Sequence, residues 1–324
     1  MAHTLIAVPD DFPSVFENSA AHEQCKTLGE IRLFTERGAD QEAELIKRIG
    51  KASVAVNIRA HAHFSDAVFA GCPNLKMVSV WGTGVDNFDL TAAGRRGVTI
   101  CNTPGVNAFA VAEHAIALML AVARRIPRID REMREGKWPR EQLVQCLGKT
   151  LGVFGTGKIG ARVIEIGKAL GMTVLAYTAT GDTARVAALG ARAVSKEELL
   201  RESDFVSLCL RLAPETRGFI ARRDLGLMKK TAILINTGRG ALVDREALVD
   251  ALTTGKISAA GLDVFHDEPT KPDDPLFALP NVVLSPHHAG QTPEVVRDGL
   301  LAAVKNVENY LAGKPTDVVV APVK

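Results

Sequence analysis

Short apolar or β-branched runs recur along the chain, separated by glycine-rich punctuation and by segments with helical spacing. The runs at 5–8, 54–58, 77–80, 151–154, 173–177, 205–210, 232–236, 259–263 and 282–285 read as strands. Several are apolar throughout rather than alternating, the pattern of parallel strands covered by helices on both faces. Between them, 108–125, 159–170, 196–202 and 245–253 predict helices, and a last one runs near 294–311. Strand–helix alternation predicts an α/β fold built on parallel sheets. The chain shows no tandem repeat and no low-complexity segment.

With 324 residues the chain exceeds one ordinary domain, and a prior of ~150 residues per domain suggests two. The turn-rich Asn102-Thr103-Pro104-Gly105 precedes one long helical stretch, and Ser285-Pro286 precedes the last one. A domain inserted between them spans 102–284 and leaves 1–101 and 285–324 to the other.

Composition narrows the function classes. The hydrophobic fraction is 47% and the charged fraction 23%, both ordinary for a globular chain. The net charge is +2, with basic and acidic residues interleaved, so charge points to neither a nucleic-acid nor a membrane partner. The five cysteines are scattered and form no C-x-x-C, which predicts reduced thiols and a cytoplasmic setting. The N-terminus does not read as a signal peptide. The apolar stretch 108–123 is interrupted by Glu113 and His114 and is too short to span a bilayer.

Chemistry enters at 151–160. An apolar run is followed by Gly155, Thr156, Gly157, Lys158, Ile159 and Gly160, and then by apolar-periodic spacing. This G-x-G-x-x-G lies between a strand and a helix and a second strand follows, the context in which the motif binds a dinucleotide pyrophosphate. An acid at the end of the second strand would select NAD through the ribose 2′-OH. Thr178 stands there instead, Asp182 comes four residues late, and Arg185 is a candidate to reach a 2′-phosphate. NAD and NADP both stay open, with a lean towards tolerance of NADP.

Three polar residues sit just beyond later strands: Arg239, Glu268 and His287. Ligands of open α/β sheets bind at that edge. A guanidinium fork suits a carboxylate, and a histidine suits proton donation to a carbonyl oxygen near neutral pH. A carboxylate orients such a histidine and favours its charged form. The set fits reduction of a small anionic 2-keto acid to a 2-hydroxy acid, with hydride from the nicotinamide. His288 is read as packing or interface. His61 and His63 read as a solvated loop, and Arg59 as a candidate for substrate contact.

The chain resembles the D-isomer-specific 2-hydroxyacid dehydrogenases over nearly its whole length. The resemblance rests on Gly82-Thr83-Gly84-Val85-Asp86-Asn87, Asn102-Thr103-Pro104-Gly105-Val106-Asn107, Val111-Ala112-Glu113, the Gly155–Gly160 loop and the segments around Arg239, Glu268 and His287. It implies Arg239 as carboxylate and carbonyl binder, His287 as acid/base and Glu268 as its partner. It also implies backbone donors for the substrate carboxylate at Trp81, Gly82, Thr83 and Gly84, cofactor contacts that include Thr237, and Asp263 near the nicotinamide carboxamide. The implied fold is two doubly wound parallel-sheet domains, a flavodoxin-like substrate domain from both termini and an inserted Rossmann NAD(P)-binding domain. The implied assembly is a homodimer through the cofactor domains. Three departures stand out: Thr178 for the usual acid, Gly238 for the usual Ala or Ser, and Cys209 and Arg211 for the common His and Pro. No regulatory domain of the longer phosphoglycerate type is expected after Lys324.

Overall fold

The structure is a computed structural model that describes residues 4–58 and 62–323. In chain order it opens with β1 (Leu5–Val8), α1 (Ala20–Lys26), β2 (Glu30–Leu33), α2 (Glu42–Ile49), β3 (Val54–Asn57), α3 (Asp66–Gly71), β4 (Met77–Val80), α4 (Leu90–Arg95) and β5 (Thr99–Cys101). It continues with α5 (Ala108–Ala123), α6 (Ile126–Arg134), β6 (Thr150–Phe154), α7 (Lys158–Ala169), β7 (Thr173–Tyr177), α8 (Thr183–Ala188) and β8 (Arg192–Ala193). Then come α9 (Lys196–Glu202), β9 (Phe205–Leu208), α10 (Arg222–Leu227), β10 (Ile233–Asn236), α11 (Arg245–Thr253), β11 (Ala259–Leu262) and β12 (Val282–Leu284). The last elements are α12 (Pro293–Leu311) and β13 (Val318–Val320).

The chain divides into two units, one of Met1–Asn107 with Gln291–Lys324 and one of Ala108–Gly290. In the first, the sheet order is β13-β5-β4-β3-β1-β2. Its five parallel strands follow the 2-1-3-4-5 order of flavodoxin-like folds, and β13 adds antiparallel to β5. In the second, the order is β12-β11-β10-β9-β6-β7-β8, all parallel. That is the Rossmann 3-2-1-4-5-6 order extended by one strand.

Burial explains the apolar runs. On β6, Leu151 and Val153 pack with α5 and α7 residues such as Met119, Val163 and Ile164. Phe154 joins Leu199, Leu225 and Leu248 in a second core on the opposite face. Both faces are covered, so the strand has no polar side to show. Four strands escape the sequence pattern: β5 has only three residues, and β2, β8 and β13 are short, partly exposed edge strands. Edge strands need no apolar face on the solvent side.

The unit boundaries differ from those drawn on the sequence. Residues 102–107 stay with the first unit, where the Asn306 side chain donates to the Asn102 carbonyl at 2.8 Å and the Thr103 N–H donates to the Gly82 carbonyl at 2.9 Å. Residues 285–290 stay with the second unit, because Asp263 anchors them (below). Among the described residues no helix is long and apolar enough to cross a membrane. Four of the five cysteines are buried and Cys209 is half-buried, all as free thiols. Burial pushes the Cys25 thiol up to about 12 and that of Cys72 up to about 11.

Candidate active site

The glycine loop lies at the point where strand order reverses, between β6 with β7 on one side and β9 on the other. That crevice is where open α/β sheets take their ligands. Gly155 adopts φ +96°, and a Cβ there would stand 2.7 Å from the Cys209 carbonyl oxygen. A Cβ on Gly160 would stand 1.9 Å from the Gly155 carbonyl oxygen. These two glycines let α7 start directly against the strand. The space beside Gly157 is open: a Cβ would meet nothing within 4 Å. Gly157 is also the N-cap of α7 and supplies no side-chain cap, so the first N–H groups of a 12-residue helix are not capped by a side chain. Lys158 and Ile159 open that helix, exposed and half-buried, and Thr156 is buried. At the end of β10 the Thr237 hydroxyl is buried, and among the described residues it has no hydrogen-bond partner. An uncapped helix start, an open glycine face and an unpartnered hydroxyl fit a dinucleotide.

At the end of β7 the Thr178 and Thr180 hydroxyls lie 2.9 Å apart. The Arg185 Nε–H donates to the Thr156 carbonyl at 2.9 Å, which lays its guanidinium on the lip of the glycine loop. Asp182 is engaged as the N-cap of α8, accepting from the Arg185 N–H at 2.9 Å. Among the described residues no carboxylate is therefore seen in the place of the usual ribose acid at Thr178.

The second unit also builds the polar set. Glu268 Oε2 and His287 Nδ1 are 2.6 Å apart, and Glu268 Oε1 accepts from the Phe265 N–H at 2.9 Å. Burial pushes the Glu268 carboxyl up, yet the hydrogen bond and charge of His287, the Phe265 N–H and the charge of Arg239 outweigh it, and the net shift is downwards. An ionised Glu268 holds the proton of His287 on Nδ1 and leaves Nε2 to act. His287 has φ +52°, a region that non-glycine residues enter at a cost of order 1–3 kcal/mol. Its backbone N–H is held by the Asp263 carbonyl at 2.7 Å. Arg239 is half-buried, and its Nη1 donates to the Gly238 carbonyl at 2.9 Å. The Asn236 side chain ties this turn, donating to the Arg239 carbonyl at 2.9 Å and accepting from the Gly238 N–H at 3.0 Å. A Cβ on Gly238 would lie 2.9 Å from Leu242 Cδ1 and 3.2 Å from the Leu210 carbonyl oxygen, so this turn has little room for the usual Ala or Ser.

Asp263 is fully buried at the end of β11. Its carboxylate accepts from the Ser285 hydroxyl at 2.5 Å, the His288 N–H at 3.1 Å and the Ala289 N–H at 3.0 Å. Ser285 in turn touches His114 Nε2 at 2.7 Å. The His288 ring meets the His114 ring edge-on at 5.3 Å. His114, Ser285 and Asn236 are not singled out by the sequence pattern. The one signal it carries for them is a histidine inside an otherwise apolar helix.

In the first unit, two of the four N–H groups at 81–84 are engaged within the protein. The Trp81 N–H donates to the Asn57 carbonyl at 2.9 Å, and the Gly82 N–H to the Thr103 hydroxyl at 2.7 Å. Among the described residues the Thr83 and Gly84 N–H groups meet no acceptor. Asn102 and the Thr83 hydroxyl brace the loop, the first donating to the Thr83 carbonyl at 2.8 Å and the second accepting from the Gly105 N–H at 3.2 Å. The Trp81 indole packs on α12 and donates to the Val295 carbonyl at 3.4 Å. Arg59 and His61 lie outside the described residues, and His63 is exposed. Among the described residues no group of three or more metal-ligating side chains forms.

The family model "D-isomer specific 2-hydroxyacid dehydrogenase, NAD binding domain" matches residues 116–289. A glyoxylate reductase of Aeropyrum pernix is 46% identical over 251 residues, 75% of this chain and 75% of its own. A D-3-phosphoglycerate dehydrogenase of Archaeoglobus fulgidus is 40% identical over 274 residues, 84% of this chain and 52% of its own. The chain thus spans about half the length of that relative. The crystal structure of a glyoxylate reductase from Paecilomyes thermophila superposes with a TM-score of 0.88 at 29% identity, covering 98% of this chain and 99% of that one. With a Rossmann sheet that carries a fitted dinucleotide loop, and with relatives of this kind over most of its length, the chain belongs to the D-isomer specific 2-hydroxyacid dehydrogenase family.

Proposed function

We propose that the chain reduces a small 2-keto acid to the D-2-hydroxy acid, and runs the reverse reaction, with NAD(P) as cofactor. The observation that carries this reading is the 2.6 Å His287–Glu268 pair on the same sheet edge as Arg239 and the glycine loop. Residues 155–160 hold the pyrophosphate, Thr237 and Asp263 border the nicotinamide end, and Thr178 the adenosine ribose. When bound, the reduced nicotinamide supplies a hydride to the keto carbon. His287 delivers the matching proton from Nε2 to the carbonyl oxygen, so that C=O becomes CH–OH. Glu268 orients that ring, and Arg239 binds the carboxylate and polarises the carbonyl. In the first unit, Thr83 and Gly84 offer N–H donors to an anion. The relatives' names support glyoxylate as a first substrate to try.

The neutral Thr178–Thr180 pair and Arg185 favour use of NADPH alongside NADH. The test is absorbance loss at the reduced-nicotinamide band with glyoxylate, hydroxypyruvate, pyruvate and phenylpyruvate, each with both cofactors. Turnover is expected with at least one acid, and NADPH is expected to serve. Cofactor binding without turnover of any acid would defeat the reading in favour of a nucleotide-sensing protein.

We also infer a homodimer through the second unit and a cytoplasmic setting. The dimer is supported by large apolar side chains left in solvent along 109–147: Phe109, Ile126, Met133, Trp138, Leu143 and Leu147, with Trp138 71% exposed. Exposed apolar surface concentrated in this way marks association sites. A monomer by sedimentation at micromolar concentration would overturn the assembly.

A further inference from the structure

His114 sits in a helix that is otherwise apolar apart from Glu113. Its Nε2 lies 2.7 Å from Ser285 Oγ. The Ser285 hydroxyl donates its proton to Asp263 Oδ1 at 2.5 Å. A serine hydroxyl has one proton to give. The His114–Ser285 contact therefore needs its proton on His114 Nε2, and the ring is the donor. The titratable groups acting on this ring are Asp263 from the end of β11 and His288 from the loop after β12. Burial makes the ring harder to charge, with the Asp263 carboxylate opposing that and His288 adding to it.

Asp263 is where this chain of contacts becomes mechanical. A buried carboxylate is costly unless its oxygens are filled by donors. Here the donors are Ser285, His288 N–H and Ala289 N–H, all from one loop. His287 lies between them at φ +52°, with its own N–H on the Asp263 carbonyl. The backbone that presents the His287 ring is thus fastened at 285, 287, 288 and 289 to one residue. With His114 Nε2 donating to its oxygen, the Ser285 hydroxyl points its one proton at that residue, and His114 Nε2 itself stands 3.5 Å from Asp263 Oδ1.

We propose that His114 is a positioning residue for the reaction: by donating to Ser285 it locks the Asp263 anchor and so sets where His287 presents its proton. The inference rests on the reading of His287 as the proton donor. Displacement of a reacting group by about 1 Å costs up to about 100-fold in rate, so a loosened anchor is read in kcat.

The test uses the full chain with a keto acid it turns over. His114→Leu removes the donor and keeps apolar bulk. His114→Gln restores a side-chain N–H at similar reach. His114→Leu is expected to lower kcat by about 10- to 100-fold, to shift the pH profile of kcat, and to leave the affinity for reduced nicotinamide, read by its fluorescence, unchanged. His114→Gln is expected to recover most of kcat and the wild-type profile. Wild-type kcat and pH profile in His114→Leu would overturn the proposal. So would equal losses in both variants with an equal fall in melting temperature, which would make His114 a packing residue. Should His114→Leu fail to fold, Ser285→Ala takes its place and must show the same loss of kcat and the same shifted profile; full activity in it also overturns the proposal. His287→Asn serves as the control. If it turned over, the reading of His287 would fail; if it is inactive while His114→Leu matches wild type, only the present inference fails.

Discussion

His287→Asn is expected to lower kcat for keto acid reduction by about 10²- to 10⁴-fold, the usual contribution of a placed general acid. Asparagine is the substitution of choice because it tolerates the left-handed backbone that His287 adopts at φ +52°. The loop and its four fastenings to Asp263 are thereby kept. What is lost is the proton on Nε2 and the 2.6 Å contact with Glu268. Cofactor affinity should not change, since the glycine loop is built from β6 and α7. Steady-state rates and a nicotinamide fluorescence titration measure the two separately, and surviving turnover would remove His287 from the chemistry. The pair also has a pH window. Glu268 has a folded pKa below its ordinary 4.5. Its contribution is therefore fully present above the unfolded value and is lost as pH falls through the lower, folded one. Acid disruption of the pair is expected to begin only below 4.5.

Arg239→Lys is expected to lower kcat/KM for the keto acid by about 10²- to 10³-fold, the scale seen when one donor to a developing oxyanion is removed. Lysine keeps the charge and loses the planar fork, so the variant separates geometry from electrostatics. The fork is aimed by its surroundings. Asn236 ties the turn on both sides, and one guanidinium nitrogen is held by the Gly238 carbonyl at 2.9 Å. A lysine ammonium reaches the same region as a point charge and cannot make two parallel contacts to a carboxylate. KM for the keto acid should rise and kcat should fall together, with KM for the nicotinamide unchanged. An unaltered kcat/KM would show that substrate carboxylate and carbonyl are bound elsewhere.

Residues whose meaning is local are legible in the amino-acid sequence. The largely apolar runs of β1, β4, β7 and β10 announce parallel strands, because a strand covered on both faces has little polar side to show. Gly155, Gly157 and Gly160 announce the loop, because their spacing follows from one turn of backbone and the start of α7. Arg239, Glu268 and His287 are legible as chemical types after strands. Short edge strands are not: β2 and β13 are half-exposed and carry little pattern.

Fold class and the glycine loop were thus determined by the sequence itself, as was the placing of Arg239, Glu268 and His287 just beyond apolar strands. Only the tertiary structure decided that the domain division falls after Asn107 and Gly290, that among the described residues Trp81 and Gly82 have spent their amide protons while Thr83 and Gly84 have not, and that His114, Asp263 and Ser285 form one chain of contacts. The reason is separation along the chain: hydrogen bonds between residues 114, 285 and 263 exist only once α5, β11 and the loop after β12 have packed, and no local pattern in the sequence records which buried donor meets which acceptor.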